Sequence, residues 1–104
     1  MADLTLKTYQ NNFTETIKNH DEITTEYTTL VTLSSYHVKV YKHIEIVSAL
    51  WSPIVLRFDN GKTITVPAGE IIVRDNFQHG GLIEIKYESE DDVSASGKIT
   101  VTSW

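Results

Sequence analysis

Phe58-Asp59-Asn60-Gly61-Lys62 is a turn set between two alternating runs, and its reading decides the fold. Before it, Ile54, Leu56 and Phe58 alternate with Val55 and Arg57; after it, Ile64 and Val66 alternate with Thr63 and Thr65. A two-residue loop at Asn60-Gly61 would pair Phe58 with Thr63 and mix the apolar and polar faces. A three-residue loop, Asp59-Asn60-Gly61, pairs Phe58 with Lys62, Leu56 with Ile64 and Ile54 with Val66. One face then becomes wholly apolar, and a slip of one residue would destroy it. The matching geometry is a type I turn followed by Gly61 in the left-handed region as a bulge. Glycine suits that place because a Cβ resists positive φ.

The rest of the chain repeats this theme. Thirteen Thr, eleven Ile and nine Val make 33 of 104 residues β-branched. Such side chains lose rotamer freedom in a helix and fit a pleated surface. Strands are expected at Leu4–Lys7, Tyr27–Leu33, Tyr36–Val47, Ile71–Val73, Leu82–Tyr87 and Lys98–Thr102, besides the two of the hairpin. Lys42 falls in the apolar phase of Val38, Val40, Ile44 and Ile46, a conflict that a bulge near Tyr41-Lys42 would resolve. Pro67-Ala68-Gly69-Glu70 reads as a turn, and Asp75–Gly81 and Glu88–Gly97 as polar loops. Asn11–Asp21 is the one segment with helical spacing: Asn12 could cap it, Glu15 sits at the capping-box position, and Phe13 and Ile17 lie one turn apart. The expected fold is a single all-β domain over residues 1–104. It is a small barrel or sandwich of six to eight antiparallel strands with at most one short N-terminal helix.

Composition narrows the function. No cysteine is present, which excludes disulfides and thiolate metal sites. The first residues lack a basic and apolar leader pattern, and no apolar run approaches the roughly 20 residues that span a bilayer. A cytoplasmic location is expected, in a host cytoplasm or a virion if the chain is phage-encoded. The net charge of −5 disfavours a general polyanion binder.

Chemistry-bearing motifs are scarce. The histidines, His20, His37, His43 and His79, show no close ligand pair, so no metal site and no cofactor is expected. No nucleophile elbow or phosphate-cradling loop occurs, so no catalytic residues are assigned and the chain is read as a non-enzyme. The polar phase of the long strand carries His37, Lys39, Tyr41 and His43, and Arg57 lies on the polar face of the hairpin. A continuous surface of these five would bind protein, or single-stranded nucleic acid by stacking and phosphate contact; otherwise it is a solvated strand face. Glu88, Glu90, Asp91 and Asp92 form an acidic patch, either a solvated loop or a decoy for a basic groove. Trp51, before Ser52-Pro53, is expected to plug the core at a corner. Trp104 is expected to pack back on the domain or to be offered as an anchor. The leading expectation is a protein-binding module, phage- or mobile-element-encoded, that inhibits a host enzyme. The alternatives are a virion structural β domain and a nucleic-acid-binding barrel.

Overall fold

A computed structural model describes residues 14–32, 41–91 and 93–104. The expected strand at Leu4–Lys7 lies outside them. Eight strands run β1 (Thr14–Asn19), β2 (Thr28–Thr32), β3 (Tyr41–Ser48), β4 (Ile54–Phe58), β5 (Thr63–Val66), β6 (Ile71–His79), β7 (Leu82–Tyr87) and β8 (Lys98–Ser103). They form two antiparallel four-stranded sheets, sheet A in the order β1-β8-β3-β6 and sheet B in the order β2-β7-β4-β5. This is an all-β sandwich.

The alternation of side chains explains the packing. Ile44, Ile46, Ile99 and Val101 point inward from sheet A, and Ile54, Leu56, Phe58, Ile64, Val66, Ile83, Ile85 and Tyr87 from sheet B. All are buried and belong to one cluster. The hairpin has the register read from its sequence: Ile54 opposes Val66, Leu56 opposes Ile64 and Arg57 opposes Thr63. The Phe58 N–H bonds to the Lys62 carbonyl at 2.9 Å, and the Gly61 N–H to the Phe58 carbonyl at 2.9 Å. Gly61 has φ 84°, whereas Asn60 keeps negative φ.

The bulge near Tyr41-Lys42 is present. The register of β3 on β6 shifts between Tyr41 and His43, and the N–H groups of Lys42 and His43 both bond to the Trp104 carbonyl. Lys42 is thereby turned to solvent while Ile44 and Ile46 stay inside.

Two expectations fail. Thr14–Asn19 is a strand paired with β8, followed by a single 3-10 turn at His20–Glu22, so the helical reading of Asn11–Asp21 does not hold over its described part. The 3-10 turn has a capping contact of its own, in which the Asn19 N–H donates to Glu22 Oε1 at 3.1 Å, and the expected cap at Asn12 lies outside the described residues. Asp75–His79 is not a loop but the second half of β6. Asn76 at φ 60° lets that strand carry polar residues round an irregularity.

Gly97 has φ 97°, and a Cβ there would collide with the Ala49 carbonyl oxygen, whereas nothing lies within 4 Å of a Cβ at Gly61. Gly61→Ala should therefore cost about 1 kcal/mol, from backbone strain alone. Gly97→Ala should cost about 3 kcal/mol or more, since strain and a backbone clash add. Chemical denaturation of the two variants checks the ranking, and equal losses would contradict it.

Candidate functional site

The two ends of the sandwich differ in chemistry. One end collects the 3-10 turn and the β3–β4, β5–β6 and β7–β8 connections. There the Tyr87 hydroxyl donates to the His20 carbonyl at 2.7 Å, the His20 N–H to the Gly97 carbonyl at 3.0 Å, and the Glu88 N–H to the Pro53 carbonyl at 3.2 Å. Burial pushes the Tyr87 phenol above its ordinary pKa; the Ser94 backbone opposes this and nearby Asp21 adds to it. Trp51 sits at this end and is 71 % exposed. It is therefore not the core plug expected: Leu50 and Ser52, its neighbours in the chain, take the buried positions instead. The Trp51 N–H is held by Ser94 Oγ at 3.0 Å, and that hydroxyl donates to the Ser96 carbonyl at 2.6 Å. The loop that holds the tryptophan also exposes Val93. The connections at this same end also carry the exposed carboxylates Asp21, Glu22, Glu70, Glu88, Glu90 and Asp91. Asp92 lies outside the described residues.

The opposite end carries an aromatic cluster round His79. That imidazole is 2 % exposed, stacks on Tyr41 at 5.3 Å between ring centres and meets Phe58 at 5.0 Å and Phe77 at 5.9 Å. Its Nδ1 lies 2.8 Å from the Gly80 carbonyl oxygen, which can only accept, so Nδ1 carries the proton. Nε2 then accepts from the Ser103 hydroxyl at 3.1 Å. A base accepting from a serine is the geometry of an activated nucleophile. Here Ser103 is itself 2 % exposed, and the third partner is a carbonyl rather than a carboxylate. The adjoining recess, about 220 Å³, is lined by Asn60, Gln78, His79 and Gly80 and does not reach the serine. The pair satisfies two buried polar groups and locks β6 to β8.

The three described members of the expected binding set, Tyr41, His43 and Arg57, do not share one surface. His37 and Lys39 lie outside the described residues. Tyr41 is turned inward by the bulge and is 2 % exposed. His43 stays on the outer face of sheet A, stacked on Trp104 at 5.5 Å and 3.2 Å from Asp75 Oδ1. Arg57 belongs to sheet B, where its Nη2 lies 2.8 Å from Glu84 Oε1 and its guanidinium covers Tyr27 at 3.8 Å. Lys86 flanks the same ring at 5.0 Å. Among the described residues no group of three or more His, Asp or Glu side chains could hold a metal ion. No helix among them is long and apolar enough to cross a membrane.

The likenesses to known proteins are structural. No protein-family model matches the sequence, and no curated protein matches it. A Bacillus endospore-appendage protein, from a family of disulfide-linked pili, superposes with a TM-score of 0.57 at 12 % identity over 88 % of this chain and 82 % of that one. An RmlC-like cupin protein from Desulfovibrio desulfuricans gives 0.46 at 16 % identity, over 89 % of this chain and 72 % of its own. A putative ethanolamine utilization protein from Salmonella typhimurium gives 0.44 at 13 % identity, over 89 % and 58 %. At such identities the likeness is one of fold.

His79 also makes a prediction. Burial lowers its pKa below the ordinary 6.5, against the raising effects of the Gly80 carbonyl and Asp59. Between the folded and unfolded values the unfolded chain binds the extra proton, so stability falls as pH drops below about 6.5 and levels off below the folded value. Denaturation midpoints measured between pH 7.5 and 5 should fall more steeply for the natural protein than for His79→Gln. Parallel profiles would contradict a buried neutral imidazole.

Proposed function

We propose that this chain is a non-enzymatic protein-binding module that engages a basic, apolar-pocketed partner surface through the Trp51 end of the sandwich. One observation carries the reading: Trp51 is 71 % exposed, yet its backbone N–H is anchored on the Ser94 hydroxyl. An exposed indole on a fixed loop loses little entropy on docking, and tryptophan is among the commonest interface anchors. The six carboxylates in the connections at this end supply the second element, an acidic end suited to a cationic groove. A rigid domain seated in a groove that normally receives phosphates would block it, so inhibition of an enzyme that handles nucleic acid is the mode of action implied. The interior supports the same direction, because most inward positions of both sheets are taken by aliphatic and aromatic side chains and the buried His79 and Ser103 bond to each other.

A second reading is a subunit of a larger assembly. The endospore-appendage likeness supplies the precedent for this sandwich in a filament. A chain without cysteine would have to assemble without the disulfide links named for those pili.

Tagged protein should retain one stoichiometric partner from a host extract, and Trp51→Ser should lose it by tenfold or more while folding normally. Glu90→Lys should weaken capture and flatten its salt dependence. Capture unaffected by Trp51→Ser would reject this surface.

A further inference from the structure

We propose that the outer face of sheet A is a two-fold interface between two copies of this chain. The inference is independent of the Trp51 end. Three of the six large apolar side chains most exposed among the described residues, Ile17 at 53 %, Ile71 at 64 % and Val73 at 48 %, stand on this one face. The register shows how they are placed. Ile17 opposes Thr100, Thr100 opposes Val47, and Val47 opposes Ile71, so one outward row crosses all four strands. The outer face of sheet B has no such row: its outward positions include Arg57, Glu84 and Lys86, paired or stacked with one another and with Tyr27.

Charge on either side of the row selects a second copy as the occupant. Two residues along β8 in one direction, Thr102 lies between Glu15 on β1 and Glu45 on β3. Two residues in the other direction stands Lys98, beside Asn19 on β1 and Ala49. The carboxylates and the ammonium thus lie about 7 Å to opposite sides of the row. A two-fold axis along the row exchanges the two sides and keeps each strand's lateral position. Lys98 of one copy then lies over Thr102 of the other, itself only 7 % exposed, and meets the flanking Glu15 and Glu45 carboxylates above it. Glu15 faces Asn19, Glu45 faces Ala49, and among these described positions no like charges meet. Aligned sheets cross at about 30°, which displaces a group 7 Å from the axis by only about 3–4 Å, within reach of a lysine side chain. Neither carboxylate nor Lys98 has an ion-pair partner among the described residues.

Four strands at about 4.8 Å spacing and eight residues at about 3.4 Å give roughly 500 Å² per copy, below the usual size of a stable specific interface. A face of that size belongs with weak, reversible associations.

Sedimentation equilibrium from about 5 μM to about 1 mM tests this, with circular dichroism confirming that each variant folds. The natural chain should pass from monomer to dimer. Val47→Lys, a change on the outer face, should hold it monomeric. Lys98→Glu should weaken association about tenfold or more. Glu45→Lys should weaken the natural dimer but strengthen the Lys98→Glu variant several-fold, a reversal of sign that only contact across the axis produces. A natural chain monomeric at 1 mM would overturn the proposal. So would a dimer indifferent to Val47→Lys, which would mean edge pairing or another face, an open series of larger oligomers, or two charge reversals that simply add.

Discussion

A β-strand offers its side chains only two faces, and in this protein one of them is always claimed by the interior. The β4–β5 hairpin shows how strictly. With Gly61 in the left-handed region, Ile54, Leu56, Phe58, Ile64 and Val66 all fall on the buried side. Shifting the pairing by one residue would bury Arg57, Thr63 and Thr65 instead, exchanging several aliphatic burials worth about 1.5–3 kcal/mol each for unsatisfied polar groups. β7 and β3 inherit the phase, because Ile83 and Ile85 pair against Phe58 and Leu56, and Ile44 and Ile46 close the layer from the other sheet.

The same constraint decides what reaches the surface. On β3 the inward phase could not run unbroken through Tyr41, Lys42, His43 and Ile44 without burying Lys42. The bulge resolves this by setting two residues of β3 against the single carbonyl of Trp104. Its consequence is chemical: Tyr41 turns inward to stack on His79, while His43 remains outside to meet Trp104 and Asp75. One inserted residue thus divides what looks in the sequence like a single polar stripe.

Local patterning was legible and distant pairing was not. The hairpin register, the bulge and the strands from β3 to β8 follow from alternation and turn residues within a few positions. The failures share a cause. The segment Asn11–Asp21 carries both a capping pattern and β-branched residues, and over Thr14–Asn19 the choice is made by β8, 79 to 89 residues further on. The polar half of β6 is a strand because β3 lies beside it. Trp51 is held outward by Ser94, forty-three positions on. His79 gave no sign of burial because its partners, Tyr41, Phe58 and Ser103, come from three other strands. Alternation along a segment reports which residues share a face, and is silent on which distant segment covers it.

The distribution of polar groups between the two ends follows from what each end must close. At the His79 end, Asp59 accepts from the Gly80 N–H and Asn60 donates to the Gln78 carbonyl, so side chains of the β4–β5 turn satisfy the backbone where the two sheets meet. The rings of Tyr41, Phe58 and Phe77 pack round the His79 imidazole there. At the other end the closure is made mainly by backbone: Ala49 to Lys98, Gly69 to Leu50, Tyr87 to Thr24 and Glu88 to Pro53. Side chains freed from that task can point outward, among them carboxylates, Lys98, Val93 and an indole. A fold that seals one end with side chains and the other with main chain leaves its chemical variety at the second, where a change of side chain alters the surface and spares the core.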